Sequence, residues 1–319
     1  LMERSKKAGE RSVMSDRKAL LRKQVFPYAM MTPFLILTFI FVIIPIGMMI
    51  YYSFTDMDFM MKPNYVGLAN YKRIFAYPAI GKILKQTILY VAVNVIFSVL
   101  GSIFIVIITT YYLDVVFQRK NLGLLFRIIW LIPDLTPTIV FMFIWRFVFG
   151  PSEYGLINKF LIFLHLQPVD FFTKNSMALL LISTCLRSAS GSIILFSSAV
   201  SQCPEHVIQA AKVDGASPLK ICFKIVLPYL KWPITQKTLW TILGSFCGYE
   251  SIKLLTEGGP MGSTTTYAFY IYENAFKYQN YGYGAALSVF LVAMSITLGL
   301  IMLKVFQVDK QMRKPRMDI

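Results

Sequence analysis

Apolar positions in this chain fall in six long runs, at roughly 28–54, 84–113, 124–149, 176–200, 232–255 and 283–306. A helix needs about 20 apolar residues to cross a hydrocarbon core roughly 30 Å thick, and each run meets that length. The pattern predicts an all-α polytopic membrane protein of about six transmembrane helices. The polar remainder divides the chain into a basic N-terminal segment (1–27), a membrane domain (28–306) with an interior loop at 201–233, and a tail (307–319). The first run is longer than the apolar core of a signal peptide and no small-residue cleavage pattern follows it, so it is expected to be retained. Pro33, Pro45, Pro133, Pro137 and Gly191 interrupt the runs and mark places where helices are expected to bend.

Orientation follows from charge. With six spans both ends share a side, and twenty-one of the 32 Lys and Arg fall on that side. Cytoplasmic connections retain such an excess, which predicts cytoplasmic termini and a cytoplasmic loop at 201–233. The tract Arg4–Lys23 reads first as a solvated signal that keeps this end on the cytoplasmic side, and is also placed to touch anionic headgroups. The net charge of +16 would raise a nucleic-acid reading in a soluble protein, but 56% hydrophobic residues and a mean hydropathy of +0.59 remove it. Cys185, Cys203, Cys222 and Cys247 form no CxxC pair, and His165 and His206 stand apart, so no metal ligand set, disulfide framework or catalytic triad is signalled. No G-x-x-x-x-G-K-[ST] phosphate loop occurs, so any nucleotide must be handled by another subunit.

The stretch from Pro204 to Pro233 reads as an ordered object rather than a connector. Pro204 suits a helix start, and Glu205 beside it favours the positive end of the helix dipole. Gly215 supplies the left-handed residue that commonly ends a helix. Ser217 and Pro218 then repeat the start signal as N-cap and first-turn proline, so Leu219 to Val226 is predicted as a second helix ending at Pro228. Ala210 and Ala211 leave room for another protein to approach closely, and Asp214 is expected to hold the turn.

The run QAAKVDGASPLKICFKIVLP resembles the EAA loop of binding-protein-dependent ABC importer permeases. Ala210, Ala211, Asp214, Gly215, Ala216, Phe223, Leu227 and Pro228 match that pattern, and Gln209 stands where the family has glutamate. Three further stretches, YVGLANYKRIF (Tyr65–Phe75), GLIN (Gly155–Asn158) and LLTEGGPMGSTTT (Leu254–Thr266), resemble the carbohydrate-uptake type, similar to the first maltose-system permease in a six-span form. The resemblance implies a MetI-like type I permease fold in a bacterial inner membrane, with the loop as a coupling helix seated in a cleft of the motor subunit. It also implies a second permease subunit, two ATPase subunits that carry ATP and Mg, an external solute-binding protein and a sugar substrate. No cofactor and no enzymatic reaction are implied for this chain.

Polar groups within apolar runs are costly in lipid and usually face the bundle interior. Arg187, in CLRSASGS, is far from either end of its run, and Leu186 stands where the family usually has tryptophan. Asp134 beside Pro133 is placed to satisfy groups freed by a kink, and Asn94 is a similar polar site in the second run. Tyr249 and Glu250 occupy positions where the family tends to have phenylalanine and aspartate, and Lys253 replaces an apolar or aromatic residue. Glu250 and Lys253 suit a local i,i+3 pair. Alternatively, Arg187 and Lys253 form a basic lining for an acidic oligosaccharide such as a uronate fragment. An ion-gradient-driven secondary transporter is the competing class; it would show inverted repeats between halves, which the sequence lacks.

Overall fold

The computed structural model describes residues 28–151 and 154–308. The basic N-terminal segment and residues 309–319 of the tail lie outside the described residues. Among these residues the fold is helical throughout, with one isolated antiparallel bridge between Thr55 and Tyr65.

Helix α1 (Tyr28–Tyr52) is apolar on every side and almost unburied, a helix built for lipid. The π-turn at Phe39–Ile43 precedes Pro45, and the Ile44 N–H donates to the Phe39 carbonyl, so the widened turn absorbs the proline. A short amphipathic helix, α2 (Ala69–Ala76), then buries Asn70 and Ile74. Asn70 donates to the Ser53 and Thr55 carbonyls at 3.0 and 2.7 Å and ties α2 to the end of α1.

Helix α3 (Ile80–Val116) has 37 residues, about 55 Å of helix, and so extends beyond a bilayer core. Helices α4 (Lys120–Leu135) and α5 (Thr138–Val148) carry the third apolar run, bent by 99° between them. Pro133 is accommodated inside α4; the break falls at Thr136, whose ψ of 127° is the extended conformation that a following proline imposes. Across the α3–α4 connection Asp114 and Arg127 form an ion pair at 2.5 Å, and Arg127 also donates to Thr110. Sequence alone counts Arg127 among the loop charges; the fold instead gives it a carboxylate one helix away. A short helix α6 (Leu156–Phe163) follows, and its buried Asn158 bonds the Gly150 and Val169 backbone.

Helix α7 (Ser176–Ser201) is the most buried of the long apolar helices. Its small residues let α3 approach: Ser98 Oγ lies 2.8 Å from Ser192 Oγ, and Ser102 donates to the Ala189 carbonyl at 2.9 Å. The loop helices α8 (Glu205–Val213) and α9 (218–229) follow, then α10 (Lys231–Cys247) and α11 (Glu250–Leu255). The fifth apolar run is therefore two helices, parted at Gly248, whose ψ of 132° is extended. Helix α12 (Tyr267–Tyr272) and a π-turn lead to α13 (Tyr281–Val305), which packs on α1 with Gly282 against the Thr55 carbonyl.

Four described helices are individually long and apolar enough to cross a membrane, and the bent α4–α5 pair makes a fifth. The 17-residue α10 with its extension α11 accounts for the remaining run, in agreement with about six spans.

Candidate functional site

The loop between α7 and α10 is a two-helix unit whose turn is held by its own backbone. Pro204 precedes the first residue of α8, and Glu205 occupies the first turn. At the far end the Gly215 N–H donates to the Lys212 carbonyl and the Ala216 N–H reaches back to Ala211, both at 3.0 Å. This pair of bonds is a Schellman stop with Gly215 in the left-handed region at φ +76°. Ser217 then caps α9, its hydroxyl accepting from the Lys220 N–H at 3.3 Å, with Pro218 in the first turn. One expectation needs correction: helical backbone does not end at Pro228 but continues through Tyr229. The π-turn Cys222–Val226 sends the Leu227 N–H to the Cys222 carbonyl and so makes room for the proline.

The inner face of this unit is apolar. Ile208, Ile221, Cys222, Val226 and Leu230 pack with Val106 and Tyr111 of α3 and Ile193, Phe196 and Val200 of α7. Ala211, Ala216 and Leu227 border the same cluster. Tyr111 donates its hydroxyl to the Pro218 carbonyl at 2.8 Å, pinning the start of α9 to α3. Burial in this core pushes the Cys203 and Cys222 thiols up, away from thiolate chemistry.

The outer face carries Gln209, Ala210, Asp214, Phe223 and Pro228, all exposed. Gln209 Nε2 donates to Glu205 Oε1 at 3.3 Å. Asp214 is exposed to solvent, and the turn rests on the main chain instead.

Near the middle of the bundle a cavity of about 350 Å³ is lined by Tyr90 and Asn94 of α3, Thr138 of α5, Thr184, Arg187 and Ser188 of α7, and the 244–251 segment. It brings together four of the polar residues singled out in the sequence: Asn94, Arg187, Tyr249 and Glu250. Arg187 donates to the Thr138 hydroxyl, so the bend that opens α5 also supplies the partner for its guanidinium. Asn94 Nδ2 donates to the Tyr90 carbonyl at 2.9 Å, which leaves its amide oxygen free to accept.

Lys253 is not part of this lining. Its Nζ lies 4.2 Å from the centroid of Tyr272, over the ring, and not on the Glu250 carboxylate. Tyr272 in turn stacks on the lining residue Tyr249 at 4.9 Å. Asp134 also lies outside the lining, beside Gly191 and Lys237. Spacing groups Lys237 with the positive charges of the cytoplasmic loop; the structure places it well inside α10. Its place inside the fifth apolar run, five residues past Trp232, was the available signal.

The helical bundle, the rigid interhelical loop and the mid-bundle cavity define a membrane permease subunit. Residues 111–308 match the family of binding-protein-dependent transport system inner membrane components, and the chain belongs to that family. It is similar to the sn-glycerol-3-phosphate transport system permease protein UgpA of Pectobacterium atrosepticum, 27% identical over 90% of this chain and 96% of the relative. It is also 28% identical to the arabinooligosaccharides transport system permease protein AraP of Bacillus subtilis, over 94% of this chain and 92% of the relative. The fold matches a chain of a bacterial ABC transporter involved in import of the acidic polysaccharide alginate. The TM-score is 0.78 at 20% identity, covering 91% of this chain and 98% of that one.

Proposed function

We propose that this chain is one membrane half of an ATP-driven importer that moves a sugar or oligosaccharide handed over by an external solute-binding protein. The observation that carries the reading is the two-helix loop, rigid in its turn and buried on one face only, in a chain without a phosphate-binding loop of its own. Relatives aligned over nine-tenths of the chain are named for sn-glycerol-3-phosphate and arabino-oligosaccharides, which supports the solute class. The partners are a second permease subunit, two ATPases carrying ATP and Mg, and the binding protein. Gln209, Ala210, Ala211, Asp214, Gly215 and Phe223 face or shape the contact with an ATPase, and both termini share the cytoplasmic side with them.

ATP hydrolysis then drives alternating access: the loop moves as a lever, the packed ends of α3 and α7 follow, and the cavity opens to one face at a time. The cavity holds one arginine and one glutamate, a balance that suits a neutral, hydroxyl-rich solute better than a uronate polymer. Uptake by the reconstituted complex, comparing neutral with uronate oligosaccharides, is expected to favour the neutral class. Uptake that proceeds without ATP and without a motor subunit overturns the reading in favour of an ion-gradient transporter.

A further inference from the structure

Asp134, Gly191 and Lys237 meet where α4, α7 and α10 converge. A Cβ on Gly191 would lie 3.1 Å from Asp134 Oδ2 and 3.4 Å from Lys237 Nζ, tighter than side chains usually pack, so the bare glycine is what lets the exposed carboxylate and the half-buried ammonium come this close over α7. Among the described residues no ion pair closes between Asp134 and Lys237. Charges inside spans are costly unless polar partners surround them. A carboxylate and an ammonium held apart over a glycine retain acceptor and donor capacity for a third polar group.

The place of the two charges along the bundle is set by helix geometry. Gly191 follows Arg187 by four residues, on the same face of α7 and about 6 Å nearer the loop end. Lys237 precedes the cavity residue Gly244 by seven, about 10 Å in the same direction along α10. Asp134 sits four residues before Thr138, across the bend from the hydroxyl that holds Arg187. The two charges thus lie outside the cavity lining, displaced from it toward the loop end of α7 and α10.

We propose that Asp134 and Lys237 form a second solute station over Gly191, past the cavity on the coupling side. The ligand is a hydroxyl-rich solute: the carboxylate accepts from one hydroxyl while the ammonium donates to its neighbour. This rests on the sugar-import reading above. Gly191 is the positioning residue, because any side chain there fills the slot between the two charges.

The test uses the full complex in proteoliposomes with its binding protein. Four probes are offered: maltotriose, arabinotriose, a galacturonate trisaccharide and glycerol 3-phosphate. For the probe carried by the unaltered complex, Asp134→Asn and Lys237→Met are each expected to raise the uptake KM about 10-fold or more, the loss of one charged hydrogen bond. The Asp134→Asn/Lys237→Met double variant is expected to be at least as impaired as either single one. Recovery in the double variant marks a plain ion pair and overturns the station. Where a single variant fails to assemble, Gly191→Ala carries the test, since it keeps both charges and narrows the slot; a raised KM in a co-purifying complex supports the station. Unchanged KM in all variants overturns the station alone, whereas carriage of none of the four probes by the unaltered complex overturns the sugar reading and the station's ligand class with it.

Discussion

The two ends of the bundle are held by different forces. At the loop end the contacts are mostly apolar and non-directional, with the Tyr111 bond to Pro218 an exception: Ile208, Ile221, Val226 and Leu230 bury their side chains in one cluster with α3 and α7. At the opposite end the 256–266 loop is fixed by directed polar bonds. Gln86 donates to the Gly262 and Ser263 carbonyls at 3.0 and 2.7 Å, Ser263 bonds Ser176 at 2.9 Å, and the Tyr267 N–H donates to Thr87 at 2.8 Å. Packing transmits a push from any direction, which suits a lever. Directed bonds fix the shape of one loop, where Glu257, Gly258, Gly259, Met261 and Gly262 all adopt positive φ. At Gly259 a Cβ would fall 2.6 Å from Ser263 Oγ, so this conformation belongs to glycine on two counts.

The contrast is open to breaking from either end. The largest effect is expected from Gly215→Pro: proline fixes φ near −65° where the backbone needs +76°, and it deletes the N–H that bonds Lys212. Loss of complex assembly, or ATP hydrolysis uncoupled from uptake, is the expected result in co-purification and ATPase assays. Leu230→Ala, in the fully buried cluster, is expected to cost about 2–5 kcal/mol and to lower the thermal midpoint of the purified complex. At the polar end Gln86→Ala is expected to cost about 1–3 kcal/mol by removing the side-chain donor of the Ser263 carbonyl and leaving the Gly262 carbonyl only the long Thr265 N–H bond, with faster proteolytic nicking of the 256–266 loop as the readout. Ser217→Ala removes one cap, about 1 kcal/mol, read as a smaller drop in the same thermal midpoint. Gln209→Ala, whose side chain reaches only Glu205, is expected within about 0.5 kcal/mol and with near-normal coupling; a defect greater than that of Gly215→Pro would reverse the ranking of shape over side-chain contact.

Much of the loop was legible in sequence because its signals are local. The left-handed glycine, the Ser-Pro restart and the acidic first turn each act within four residues. The six apolar runs were legible for the same reason. The bend of the third run was only half visible, since Pro133 and Pro137 advertise it equally and only the backbone tells that Pro133 is absorbed while the chain turns at Thr136. Gly215 announced the main-chain stop, but that Asp214 is left to solvent was not visible.

The candidate site was less legible because it is assembled across helices. Arg187 stood out by its cost in lipid, but nothing in its neighbourhood names Thr138, forty-nine residues away, as its partner. Lys253 and Lys237 show the same difficulty from opposite sides. Lys253 has the spacing of a lining residue and lies over Tyr272, whereas Lys237 has the spacing of a loop charge and lies beside Gly191. A sequence gives the face of a helix; which other helix meets that face depends on packing.

The outer face of the coupling unit has a consequence for the life of the subunit. Val213 is 88% exposed, Phe223 63% and Leu219 59%, on a loop between two of the apolar helices. An orphaned copy offers these side chains to chaperones and proteases, and on the importer reading proposed above association with a motor subunit would withdraw them. Its cellular abundance is thereby expected to track that of its partner, so that stoichiometry is enforced by degradation of the excess.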